Sequence, residues 1–104
     1  MMYVEISGRQ VPINLKSGRS LKNNFGQFNG STECIDLWKT MDVSIRRRTL
    51  AHECFHAFLH FTGYNELLAD ISDNMEEAMC RAFEQSLGEL FLFSPELEAW
   101  IKGV

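Results

Sequence analysis

The sequence predicts an α+β domain, with strands in the first forty residues and helices after them. The early part consists of short alternating or apolar runs broken by turn residues. From Ser44 onward, long stretches without Gly or Pro carry apolar residues at helical spacing. Strands gathered ahead of helices, rather than alternating with them, point to an antiparallel sheet packed under helices.

Residues 3–6 (YVEI) and 11–15 (VPINL) flank Gly8 and read as a hairpin. After the polar loop KSGRSLKNN come two more short runs within FGQFNGSTECIDLW, with Asn29-Gly30 as the strongest turn signal. Thr32 to Trp38 is the expected strand just before the helical half. The first helix is expected over 44–61 (SIRRRTLAHECFHAFLHF), closed by Gly63 as a left-handed C′ residue. A loop follows. Asp73 with Glu76 three residues later resembles a capping box. It would open a second helix over about 74–91 that buries Met79, Cys80, Phe83, Leu87, Leu90 and Phe91. Ser94-Pro95-Glu96 would then start a short C-terminal helix carrying Trp100 and Ile101.

Composition narrows the function classes. The chain has 104 residues, 45% hydrophobic and 23% charged, which fits one globular domain over 1–104. A formal net charge of −4 gives no global support for nucleic-acid binding. The basic run Arg46-Arg47-Arg48 reads as a solvated helix start. No stretch has the length of a membrane span, and the N-terminus carries no signal-peptide pattern. Three cysteines, Cys34, Cys54 and Cys80, are an odd number without ligand spacing, and are expected to be free thiols in the cytoplasm.

HECFH, residues 52–56, carries the chemistry. Four-residue spacing puts His52 and His56 on one helix face, where two imidazoles can share one ion, and zinc suits such a pair. Glu53 beside them is placed to act as general base toward water activated by the metal. The competing reading is two polar residues on a half-buried helix. The mid-helix position, the preceding strand and the carboxylates of the second helix favour the metal.

A catalytic zinc needs a third protein ligand. His60 stands about 12 Å from His52 along the helix axis, too far for both to bind one ion. Of the adjacent Glu76 and Glu77, Glu76 points to the centre of the apolar face and has a capping role available. Glu77 sits at the edge, where a metal can meet both water and substrate. Glu77 is therefore the expected ligand and Glu76 the alternative. Asp70 and Asp73 read as solvated loop or cap residues, and Cys54 and Cys80 as buried core.

HECFH followed after twenty residues by EAMCRAF resembles the gluzincin arrangement, in which two helices donate two histidines and a glutamate. TLAHECFHAFLHFTGY and EEAMCRAFEQSLGELF are most similar to small phage and prophage HExxH proteins and to the ImmA/IrrE type of metallopeptidase. The likeness spans most of 35–101. It implies a minimal zincin-like domain with His52, His56 and Glu77 as Zn2+ ligands and Glu53 as general base and acid. It further implies a peptide or protein substrate of phage or host origin, pairing along the strand at Thr32–Trp38. One position departs from the pattern: where many gluzincins place an acid behind the first histidine, this chain has Arg81. Tyr64, Tyr3 and His60 are candidates for the oxyanion donor. The alternative function is a zinc-stabilised interaction module that keeps the fold without catalysis.

Overall fold

A computed structural model describes residues 2–18, 21 and 24–92 of the chain, with side chains placed up to residue 85. Among the described residues there are four strands, β1 (Met2–Ile6), β2 (Arg9–Lys16), β3 (Gly26–Asn29) and β4 (Cys34–Trp38), followed by three helices, α1 (Val43–Thr62), α2 (Tyr64–Ile71) and α3 (Met75–Leu92). The α+β class predicted from the sequence holds. The expected helix at Ser94-Pro95-Glu96, with Trp100 and Ile101, lies outside the described residues.

Two hairpins build the sheet. Ser7 and Gly8 both have positive φ (51° and 79°), the geometry of a two-residue turn whose twist matches the flanking strands, and Ile6 pairs with Arg9 across it. The second hairpin turns through residues 30–33. Asn29 anchors it, its Oδ1 accepting the N–H groups of Ser31 and Thr32 at 2.9 and 3.2 Å. Glu33, rather than Gly30, takes the left-handed conformation there, at φ 54°.

The sheet is mixed, not antiparallel as expected. Its order is β1-β2-β4-β3, with β4 parallel to β2 and antiparallel to β3. The reason lies in where apolar side chains are needed. Ile35 and Leu37 of β4 are almost wholly buried, which requires a central strand. The shorter GQFN of β3 suits an edge. The connection from β2 carries the chain across to that edge, and β4 returns into the gap.

The core lies between one sheet face and α1. Ile6, Val11, Ile35, Leu37, Met41 and Ala57 form its centre, with Phe28, Leu50, Cys54 and Phe61 packed around them. Thr49, Glu53 and Ala57, four residues apart on α1, form the stripe buried against the sheet. Gly63 ends α1 as anticipated, at φ 81°, its N–H reaching the His60 carbonyl at 3.3 Å.

The helical half departs from expectation at three points. The segment after Gly63 is helix α2, not a loop, although none of its residues is buried. Asp73 does not cap α3. The first helical bond runs from the Ala78 N–H to the Asn74 carbonyl at 3.0 Å, and Glu76 is occupied elsewhere. Met79 is 39% exposed, whereas Cys80 is fully buried and Phe83 stacks on Phe55 at 4.3 Å.

Candidate metal centre

Three elements meet at the motif. On α1, Glu53 belongs to the stripe facing the sheet, while His52 and His56 face α3. Both rings are nearly enclosed, their side chains 12% and 18% exposed. Opposite them, α3 begins with Glu76 and Glu77. Strand β3 forms the remaining wall. Together with Asn24 of the preceding loop, these residues line an open cleft of about 450 Å³.

Glu77 reaches both histidines. Its Oε1 lies 3.0 Å from Nε2 of His52, and its Oε2 3.1 Å from Nε2 of His56. The outer ring nitrogens also meet carboxylates: Nδ1 of His56 is 2.5 Å from Oε2 of Glu76, and Nδ1 of His52 is 3.7 Å from Oε1 of Glu84. Both imidazoles thus present Nε2 inward and Nδ1 toward an acid. At His56 the contact is a hydrogen bond of the kind that orients imidazole ligands, whereas Glu84 at 3.7 Å from His52 is only an electrostatic neighbour. Arg81 approaches Glu77 at 3.5 Å, and the backing acids come from positions 76 and 84. Position 84 is two helical turns beyond Glu77, a placement that only the packing of α3 on α1 reveals.

The donor set fits a zinc-type ion: two inward imidazole nitrogens and a carboxylate that is 46% exposed at the mouth of the cleft. Cys80, expected in the core, also lies beside the two histidines. Cys80 is buried, and its Sγ and one ring nitrogen from each of His52 and His56 lie within 4.8 Å of one another. Burial, reinforced by the carboxylates of Glu76, Glu77, Glu53 and Glu84, pushes its thiol up to about 12.

Glu53 is held from the sheet side. Its Oε1 accepts the N–H of Phe28 in β3 at 2.9 Å. Burial raises its carboxyl above the ordinary range, and Glu77 adds to the effect. His56, His52 and the Phe28 N–H act in the opposite direction. The Phe28 N–H points away from β4, so β3 turns its free edge toward the cleft. The strand expected to border the cleft, Thr32–Trp38, instead lies inside the sheet between β2 and β3.

The other candidates lie elsewhere. His60 packs on Phe28 with ring centroids 5.4 Å apart, and a Cβ on Gly30 would come within 3.2 Å of it. Tyr3 and Tyr64 are exposed and do not line the cleft. Asn24 and Gln27 also line the cleft, the Gln27 side chain itself reaching Asp36 Oδ2 at 3.4 Å. Cys54 lies behind the site in an apolar pocket with Phe55, Phe58 and Phe83, and burial pushes its thiol up to about 11. None of the described helices is long and apolar enough to cross a membrane. No family model, curated protein or solved structure matches the chain.

Proposed function

We propose that this protein is a small zinc-dependent endopeptidase, with His52, His56 and Glu77 as metal ligands and Glu53 as general base and acid. The observation that carries the reading is the Glu77 carboxylate, which spans the inward Nε2 atoms of both histidines while separate acids back their Nδ1 atoms. Zinc bound there would supply Lewis acidity, polarising a peptide carbonyl and lowering the pKa of water.

The chain's own groups do the rest. Glu53 Oε1 is anchored by the Phe28 N–H, so Oε2 is the atom that takes a proton from water and returns it to the departing amine. Its buried setting suits a group that must hold a proton between those two transfers. The free edge of β3 offers main-chain hydrogen bonds to an extended peptide, which would compete with Glu53 for the Phe28 N–H. The cleft is open, which favours a protein segment over a small metabolite as substrate. Resemblance of the two motifs to phage and prophage metallopeptidases suggests a phage or host protein as the target, in the cytoplasm.

The test combines metal analysis with peptide-library digestion read by mass spectrometry. The wild type should carry about one zinc per chain and generate new peptide termini. Glu53→Gln should keep the zinc and lose the cleavage. Protein purified without chelator that holds no metal and gains no stability from added zinc would overturn the reading.

A further inference from the structure

The same pair of helices brings one more donor to the histidines. Cys80 lies on α3 one turn beyond Glu77, is fully buried, and has its Sγ within 4.8 Å of ring nitrogens of both His52 and His56. Tetrahedral zinc holds nitrogen at about 2.0–2.1 Å and sulfur at about 2.3 Å, so its donors stand roughly 3.3–3.6 Å apart. The three atoms need to draw together by no more than about 1.5 Å to meet that geometry. The other thiols have different surroundings: Cys34 faces Thr32 Oγ1 at 3.0 Å, and Cys54 lies in the aromatic pocket behind α1. Glu76 and Glu77 stand at the same two histidines, and their carboxylates attract a cation.

We infer that Cys80 is a metal donor, so that His52, His56 and Cys80 hold a thiophilic ion of the zinc class, with Glu77 as the fourth ligand. The inference rests on the proposal that the histidine pair binds metal, and it changes the ligand set. As the sulfur–metal bond forms, the S–H bond breaks and its proton leaves through the cleft to solvent. Hard cations such as magnesium or calcium are disfavoured by a set of two imidazoles and a thiolate. Four protein donors also close a tetrahedral site. Of the four, only Glu77 is substantially exposed, so it is the one able to yield its position to water or substrate.

Cobalt(II) is the probe, titrated into the full chain under reducing conditions. The wild type should develop visible d–d bands together with a near-ultraviolet thiolate-to-cobalt charge-transfer band, both saturating at one equivalent. Cys80→Ser should lose the near-ultraviolet band and keep the visible ones. The double variant Cys34→Ser/Cys54→Ser, in which Cys80 is the sole thiol, should keep both, and it tests the inference even if Cys80→Ser does not fold. Visible bands without the near-ultraviolet band in the wild type would overturn the Cys80 assignment and leave the histidine pair standing. A charge-transfer band that survives in Cys80→Ser, or vanishes in the double variant, would also overturn it. Absence of any cobalt spectrum would overturn this inference and the metal site together.

Discussion

Oε2 of Glu76 stands 2.5 Å from Nδ1 of His56, on the side of the ring away from the Nε2 that faces Glu77. Two neighbouring glutamates, of which the helix edge favoured Glu77 over Glu76, therefore occupy different places around one imidazole. Glu77 meets the inward nitrogens and Glu76 backs one of them. Replacing them should accordingly have unequal effects. Glu76→Gln keeps a hydrogen-bonding partner at Nδ1 but removes its charge, and should weaken zinc binding by about 10–100-fold. Glu77→Ala removes a donor and should weaken binding further. Competition with a chromophoric chelator measures both. A larger loss in Glu76→Gln than in Glu77→Ala would reverse the two roles.

The close approach of β3 to α1 fixes the distance between the Phe28 N–H and Glu53. It depends on Gly26. A Cβ there would lie 2.8 Å from Cγ2 of Thr49 and 3.0 Å from both the Asp36 carbonyl oxygen and Cδ2 of Leu37. Thr49 is β-branched and buried in a helix, and Asp36 contributes backbone, so neither can readily move aside. Gly26→Ala should destabilise the fold by about 1–3 kcal/mol, the usual cost of overpacking. Adding Thr49→Ser, which removes the closest methyl, should restore part of that loss. Urea unfolding of the single and double variants tests both expectations.

What could be read in advance follows the range of the interactions involved. α1 was legible because its signals are local: eighteen residues without Gly or Pro, then Gly63 with a conformation that glycine adopts at little cost. Helix α2 also had a local signal in NELLAD, but the solvated character of the stretch favoured a loop, and the helix indeed buries none of its residues. The parallel pairing of β2 with β4 is different in kind. Ile13 opposite Ile35 joins residues from separate hairpins, and neither hairpin alone determines the side on which β4 inserts. The same holds at the site. HECFH announces two histidines and a glutamate, whereas the positions of Glu84 and Cys80 against them arise from how α3 lies across α1.

The three thiols should differ in reactivity. Burial pushes Cys54 up to about 11, and burial with nearby carboxylates pushes Cys80 up to about 12. Raised values mean less thiolate, the reactive form, near neutral pH. Cys34 in β4 is half-buried, as is Cys54, but it lies outside the aromatic pocket that encloses Cys54. Iodoacetamide applied briefly to metal-free native protein should therefore label Cys34 first, with Cys54 and Cys80 modified mainly after unfolding. Peptide mapping by mass spectrometry reads the order. Early labelling of Cys80 would contradict its burial between α1 and α3.

Glu53 should reduce the stability of the metal-free fold. It is 8% exposed, and burial raises its carboxyl despite His56, His52 and the Phe28 N–H, all of which favour the charged form. Glu53→Gln preserves the shape, and its amide oxygen can still accept the Phe28 N–H. What it removes is the cost of holding a carboxylate out of water. In chelator and mildly alkaline buffer, the variant should unfold with a free energy higher by roughly 0.5–2 kcal/mol, the usual gain from one stabilising substitution. If Glu53 served only to tie β3 to α1 through its charge, the same substitution would weaken that link and lower the stability. Urea denaturation with the metal removed separates the two cases, because the stability readout does not depend on knowing the substrate.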